Sequence, residues 1–184
     1  MSRMTVNERP VEFDLDPDMP LLYALREAAN LTGTKNGAGG RDCSCGACVV
    51  LVDGTALRSC QITLAEAEGR FITTIEGLSP DRSHPLQQAM VAEQAIQCGF
   101  CTPGIVMAGA ALLRRNPQPS RPEIEEAIPN ICRCGVYPRL VRAVERAGRV
   151  ARRREGISAA QAPGIGIEDA GEQVPALRSR SDDR

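Results

Sequence analysis

Eight cysteines, spaced as two groups of four, are the residues of this sequence best suited to chemistry. The first group comprises Cys43, Cys45, Cys48 and Cys60, and the second comprises Cys98, Cys101, Cys132 and Cys134. Cysteine thiolates bind zinc or iron–sulfur clusters, or pair as disulfides, and spacing and compartment decide among these. Because no cysteine is left over, the pattern indicates two metal centres.

The first group reads C-x-C-x2-C-x11-C. Three ligands on one loop and a fourth after a hairpin are typical of plant-type 2Fe–2S sites. Glycines at 37, 39, 40 and 46 would let the backbone wrap closely around a cluster. A zinc site more often uses two separated pairs, so the spacing favours iron–sulfur, with zinc and a structural disulfide as alternatives.

The second group reads C-x2-C-x30-C-x-C, which taken alone fits a zinc ribbon or a redox disulfide as well as an iron–sulfur cluster. Its first pair lies just before a predicted helix, with Thr102 as a candidate cap and Pro103 at the first helical position. The N–H groups of a helix N-terminus stabilise thiolates and anionic clusters.

Residues 1–78 show the pattern of a small α+β domain, which we predict to be a β-grasp, plant-type ferredoxin-like fold. The predicted elements are a hairpin over 4–15, a helix over 21–29, a hairpin over 49–59, a short helix over 63–68 and a strand over 70–75. The second hairpin turns at Asp53-Gly54 and delivers Cys60.

A polar linker over 79–85 precedes a helical pattern, which we predict to be an all-α four-helix bundle over 86–153. Its helices are predicted over 86–96, 102–115, 120–127 and 138–152, with capping-box spacing at Ser120 and Glu123. We expect the second cysteine group to meet at one end of this bundle. The tail over 154–184 has no apolar period, so alone it should be disordered, and we predict that it is an extended segment bound to a partner.

Charge and hydrophobicity limit the partners and the cellular location that we expect for this chain. The formal net charge of −1 gives no reason to expect nucleic acid or an anionic membrane surface. No apolar run has the length of a transmembrane helix, and the N-terminus has no secretory signal pattern. We therefore expect a reducing, cytoplasmic location without direct membrane insertion. Export to the periplasm with a partner and membrane association through a partner stay open.

Short motifs in residues 4–149 give the chain a resemblance to a known family. They are Thr32-Gly33-Thr34-Lys35, Cys45-Gly46-Ala47-Cys48, Leu51-Val52-Asp53-Gly54, Thr73-Thr74-Ile75-Glu76-Gly77-Leu78, residues 97–104 and Asn130-Ile131-Cys132-Arg133-Cys134. In this order and spacing the chain resembles the iron–sulfur subunit of the xanthine oxidase family of molybdenum hydroxylases.

The resemblance implies two 2Fe–2S clusters, one for each cysteine group, and an electron-transfer subunit without a substrate-converting site of its own. It implies that Gln97 and Cys134 approach the pterin of a molybdopterin cofactor held by a large partner subunit. Electrons from an aldehyde or N-heterocycle would then pass through the helical domain and the ferredoxin-like domain to FAD in a flavin subunit or haem in a cytochrome c subunit.

The chain departs from the family in two places. Gly40 stands where the family has its first cysteine, so Cys43 is assigned as the substitute ligand. The usual Thr-Gly-Tyr after the last cysteine pair is here Gly135-Val136-Tyr137.

Two other functions remain as alternatives, a free two-cluster ferredoxin and a zinc-stapled interaction module. His84, the only histidine, excludes a Rieske cluster and is interpreted as a polar residue at a helix start. Gln97 could also simply cap a turn.

Overall fold

The structure, a computed structural model, describes residues 1–37 and 44–152. The predictions made for Cys43 and for the tail over 154–184 lie outside the described residues.

Five strands of the described chain form one mixed sheet in the order β2-β1-β5-β3-β4. The strands are β1 (Ser2–Val6), β2 (Arg9–Phe13), β3 (Val49–Val52), β4 (Thr55–Arg58) and β5 (Phe71–Thr73). β1–β2 and β3–β4 are antiparallel hairpins, and β5 joins them by running parallel to β1 and antiparallel to β3. Both predicted hairpins are confirmed, as is the α+β class.

The turn between β3 and β4 follows the sequence signal closely. Asp53 and Gly54 have φ angles of 49° and 80°, so both central residues are left-handed, as a two-residue hairpin turn of the right twist requires. This turn sets the register in which Val49 pairs with Arg58 and fixes where the chain emerges toward Cys60.

The predicted first helix is present as an α-helical turn, α1 (Leu21–Tyr23), that continues as a π-helical turn over Ala24–Ala28. Leu21 and Leu25 pack into the core below the sheet, whereas Leu22 packs against two cysteines of the first group. The π-helical turn was not predicted, because a hydrophobic period does not distinguish it from an α-helix.

The short helix predicted over 63–68 is wrong. Glu66 does accept hydrogen bonds from the backbone N–H and hydroxyl of Thr63, as a capping box would. However, only the N–H of Ala67 donates to a carbonyl four residues back, and Gly69 takes a φ of 71° while its N–H donates to Arg3, so the segment forms only turns.

The helices after the sheet are α2 (Ile75–Leu78), α3 (Pro85–Ala92), α4 (Thr102–Arg115), α5 (Arg121–Ala127) and α6 (Tyr137–Ala151). α3 ends earlier than predicted, just before Gln94 takes a φ of 51°. The capping box of Ser120 and Glu123 is confirmed. α2 was not predicted.

α4 connects the helices to the sheet. Alternate residues of β3 face opposite sides: Val49 and Leu51 belong to the core formed with the helices, and Val50 and Val52 belong to the core under α1. β3 therefore contributes to both cores. Cys48 of the first group directly precedes β3, and Cys101 of the second group directly precedes α4, which packs on β3. No helix within the described residues combines the length and apolar character of a membrane span.

His84 is the N-cap of α3, as predicted: its Nδ1 atom accepts a hydrogen bond of 3.2 Å from the N–H of Leu86. Only the neutral imidazole can accept at Nδ1, and burial lowers the pKa of His84 below its ordinary value of 6.5. Protonation therefore removes the cap.

We expect acidification to destabilise the fold through this residue. The unfolded chain binds a proton at His84 near pH 6.5 and the folded chain only at lower pH, so the free energy of unfolding falls as the pH drops through that interval. In the variant His84→Asn, the side-chain oxygen can still accept the hydrogen bond at the cap position, but the side chain does not change its charge with pH. Denaturant unfolding of both proteins at pH values above and below 6.5 checks this, and equal pH dependence in the two would contradict it.

Candidate metal centres

The second cysteine group is brought together, as predicted, between the start of α4 and the start of α6. Cys98 and Cys101 lie just before α4, and Cys132 and Cys134 lie on the loop from α5 to α6. The thiols of Cys101 and Cys132 are hydrogen-bonded to each other, and so are those of Cys98 and Cys134. The four sulfurs thus converge as two pairs.

Thr102 is not the cap of α4. Cys101 holds the N-cap position, and its carbonyl accepts the N–H of Ile105 at 3.1 Å, so Thr102 is the first helical residue and the helix has its predicted bounds. This places a candidate ligand at the helix N-terminus itself, where unpaired N–H groups favour negative charge.

The two buried thiols, Cys101 and Cys132, differ in pKa. Burial, assisted by the hydrogen bond with Cys132, raises the pKa of Cys101 to about 12. At Cys132 burial acts in the same direction, but hydrogen bonds from the Val136 N–H and from Cys101 outweigh it, so the pKa of Cys132 is lowered. Of this pair, Cys132 is therefore the sulfur better prepared to bind a cation as thiolate.

The loop around Cys132 supplies N–H groups to sulfur. The backbone N–H groups of Cys134, Gly135 and Val136 are directed at the Cys132 sulfur, and Gly135 has a φ of 71°, which suits glycine. The N–H of Cys132 itself donates to the hydroxyl oxygen of Tyr137 at 2.7 Å. Sequence reasoning did not assign this role to Tyr137.

The donor set fits a binuclear cluster. Within the described residues, no three Cys, His, Asp or Glu side chains surround one ion position. Two adjacent pairs of thiols match the two cysteine ligands that each iron of a 2Fe–2S cluster requires, and the N–H groups offset the negative charge on sulfur. The residues that would hold the cluster are the four cysteines of the second group.

The second centre has a buried side and an exposed side, which we call its inner edge and its outer edge. Cys101 and Cys132 are buried, whereas Cys134 is half-buried and Cys98 is exposed. Gln97 is exposed next to Cys98 at this outer edge. Four apolar side chains are exposed on the same two loops and at the first residue of α6, and we call them the apolar rim: Ile96, Phe100, Ile131 and Tyr137.

In the first group, Cys48 and Cys60 are buried against Leu22, and Cys45 packs on the same cluster. Ser59, which is fully buried, donates from its hydroxyl at 2.8 Å and from its N–H at 3.2 Å to the carbonyl of Cys48. The two bonds hold the β3–β4 hairpin, and with it Cys60, against the loop of Cys48. Sequence reasoning missed Ser59, since only its position beside Cys60 marks it.

Two of the four predicted loop glycines lie in the described chain, and both are needed for close packing. A Cβ on Gly37 would lie 2.5 Å from the sulfur of Cys45, and Gly46 has a φ of 72°. The donors at Cys45, Cys48 and Cys60 fit an iron–sulfur cluster with one further ligand, which is predicted to be Cys43. None of the seven cysteines in the described part of the chain forms a disulfide.

Known domain families cover both cysteine groups. Residues 4–73 match a 2Fe-2S iron-sulfur cluster binding domain, and residues 74–145 match a [2Fe-2S] binding domain. Each matched range contains one of the two cysteine groups.

Curated relatives have nearly the same length as the matched part of the chain. The chain is 49% identical over 152 residues to a nicotinate dehydrogenase subunit of Pseudomonas putida, covering 82% of this chain and 96% of the relative. It is 45% identical over 153 residues to the alpha subunit of isoquinoline 1-oxidoreductase of Brevundimonas diminuta, covering 82% and 99%.

Solved structures show the same fold. Quinoline 2-oxidoreductase from Pseudomonas putida 86 matches with a TM-score of 0.76 and 40% identity, over 84% of this chain and 97% of that one. The aldehyde oxidoreductase from Desulfovibrio desulfuricans matches with a TM-score of 0.78 and 38% identity, over 85% of this chain and 18% of that one.

Proposed function

Because this chain belongs to the iron–sulfur subunits of the xanthine oxidase family of molybdenum hydroxylases, we propose that it relays electrons from a molybdopterin site in a large partner subunit to a flavin or cytochrome subunit. Its role as an electron-transfer subunit of an oxidoreductase follows from the family. The partners, the direction and the substrate are the proposal.

We assign the substrate of the complex to the N-heterocyclic aromatic compounds. The relatives named for nicotinate, isoquinoline and quinoline support this class, and together they span nearly the whole of the described chain. An aldehyde is the second candidate, supported by the aldehyde oxidoreductase relatives.

The proposed domain arrangement is a β-grasp ferredoxin-like domain over 1–78 and a four-helix bundle over 86–153, each with one 2Fe–2S cluster. The mixed five-stranded sheet and the four helices after the 79–85 linker support it. A 2Fe–2S cluster, when bound, takes up and releases one electron at a time. The chain contributes thiolate ligands, N–H groups directed at sulfur and burial, which tune that exchange.

The observation that carries the proposal is the outer edge of the second centre. Cys98 is exposed, and the apolar rim lies on the same two loops and at the first residue of α6, with Ile131 exposed at 57% and Phe100 at 45%. Apolar side chains around an accessible ligand residue suit a surface that a partner covers. We therefore propose that Gln97 and Cys134 lie next to the pterin in the assembled enzyme.

The free two-cluster ferredoxin is the weaker alternative, because a free carrier would leave the apolar rim in water. A zinc-stapled module would be colourless and would contain zinc in place of about four iron and four sulfide per chain. The cytoplasmic location and the partner-bound tail remain predictions from the sequence.

Charged substitutions in the apolar rim test the proposed interface. We expect Phe100→Glu together with Ile131→Glu to weaken binding to the large subunit by about tenfold or more, because each change places a charge where apolar area would be buried. The measurement is co-purification of the large subunit, with the dissociation constant determined by dilution. Iron and sulfide content should stay unchanged.

Phe71→Glu is the matched control, since Phe71 is exposed at 65% on β5, away from both cysteine loops. Equal retention of the large subunit by the rim variant and the control would contradict the interface. Zinc in place of iron in the native protein would contradict the electron-transfer function itself.

A further inference from the structure

The backbones of the two cysteine loops touch. The N–H of Ile131 donates a hydrogen bond of 2.9 Å to the carbonyl oxygen of Cys45. Cys45 is a candidate ligand of the first centre, and Ile131 immediately precedes Cys132 of the second. Covalent bonds and a single hydrogen bond therefore connect a ligand residue of one centre to a ligand residue of the other.

Asn130 fixes this contact. Its Nδ2 atom donates to the carbonyl oxygen of Gly46 at 2.7 Å, a buried bond between residues 84 positions apart. Asn130 is 2% exposed. Because Gly46 follows Cys45 and Ile131 follows Asn130, the two hydrogen bonds lie side by side, and the Asn130 amide holds the geometry of its neighbour.

The Gly46 peptide packs closely against its neighbours on two sides. A Cβ on Gly46 would lie 2.6 Å from Nδ2 and 3.3 Å from Cα of Asn130. A Cβ on Gly104, in the first turn of α4, would lie 2.2 Å from the Gly46 oxygen. The Gly46 peptide is thus held between α4 and Asn130 and can approach both only because positions 46 and 104 lack side chains.

Electron tunnelling through a protein weakens much faster across a gap between non-bonded atoms than along covalent and hydrogen bonds. A contact made by one hydrogen bond is therefore the sensitive step of any path between these two centres. A small displacement of Cys45 from Ile131 would turn a bonded step into a gap.

We propose that Asn130 is a positioning residue for electron transfer between the two centres, acting by holding the Ile131 N–H on the Cys45 carbonyl. One electron leaves the second centre and arrives at the first, and no bond is formed and no proton moves. The inference rests on the proposed function, because it requires a cluster in each centre.

A purely structural role for Asn130 would stabilise the fold without affecting communication between the centres. The magnetic interaction between the two reduced clusters separates these roles, because each reduced 2Fe–2S cluster has an unpaired spin. Its dipolar part depends on the distance between the spins, whereas its exchange part depends on bonded contact, as electron transfer does. The interaction appears as splitting in the low-temperature electron paramagnetic resonance spectrum.

The experiment uses the complex with the large subunit, fully reduced with dithionite, as native protein, Asn130→Ala and Asn130→Asp. The aspartate variant would keep the shape of the amide but replace the donor with an acceptor that repels the Gly46 carbonyl. Asn7→Ala is the control for lost stability, since Asn7 exchanges two hydrogen bonds of 2.9 Å with Thr74 in the turn after β1.

We expect both Asn130 variants to retain iron and sulfide but to show a smaller splitting, from which the exchange part is lost, and slower reduction of the first centre, whereas Asn7→Ala keeps the native splitting. Native splitting and kinetics in either iron-replete Asn130 variant would overturn the proposal. Loss of iron in both variants would also overturn it, because Asn130 would then serve cluster assembly. Absence of iron from the native protein would instead refute the proposed function.

Discussion

Cys132→Ala is expected to remove the cluster of the second centre and to stop electron transfer through this chain, while the first centre stays loaded. Cys132 is buried, pairs with Cys101 and receives three backbone N–H groups at its sulfur. An alanine leaves one iron with a single protein ligand, and the N–H groups then face no charge. Iron and sulfide should fall from about four to about two each per chain, as measured chemically.

The matched change in the first centre is Cys60→Ala, which is expected to remove the other half of the iron. Electron paramagnetic resonance of the reduced proteins should show one signal lost in Cys132→Ala and the complementary signal lost in Cys60→Ala. If the centres act in series, as proposed, electron transfer from the large subunit to its acceptor should fall to background in both variants. Full iron and both signals in Cys132→Ala would refute the ligand assignment.

The sequence predicted best those features that depend on neighbouring residues. The left-handed turn at Asp53 and Gly54 and the capping box of Ser120 and Glu123 are encoded within four residues each. The convergence of Cys98 with Cys134 could also be expected, since a bundle with short loops brings its ends together.

The helix signal at Thr63 and Glu66 failed because the chain leaves the helical path within one turn. Thr63 and Glu66 form the side-chain bonds of a helix start, and the N–H of Ala67 donates to the Thr63 carbonyl, but Gly69 takes a φ of 71° and its N–H donates to Arg3. A capping box favours a helix only by about 1 kcal/mol and cannot replace the further turns that a stable helix needs.

The contact between the centres could not have been read from the sequence at all. The Asn130 amide and the Gly46 carbonyl are polar groups of a kind that any loop can contain, and they meet across 84 positions. Ser59 is similar, because its role depends on the register in which the hairpin returns to Cys48. Such bonds have no period and no fixed spacing, so they emerge only from the packed structure.

Cys43→Ala is expected to remove the cluster of the first centre and to leave that of the second. The structure gathers the thiols of Cys45, Cys48 and Cys60 around Leu22, and a 2Fe–2S cluster requires a fourth ligand. The chain has eight cysteines in all, and the other four form the second centre, so Cys43 is the thiol that remains. About half of the iron and one of the two magnetic signals should be lost.

Ser44→Ala is the matched control, because Ser44 is exposed and lies between Cys43 and Cys45. It changes the same loop without removing a thiol, so its iron content and spectrum should be native. If Cys43→Ala also keeps both signals, the fourth ligand is not one of the eight cysteines of this chain. The first cluster would then either lack a fourth protein ligand or take it from another molecule. If both variants lose the first signal, the loop tolerates no change and the assignment of Cys43 loses its support. Only loss in Cys43→Ala alone identifies the thiol as the ligand that replaces the missing cysteine at Gly40.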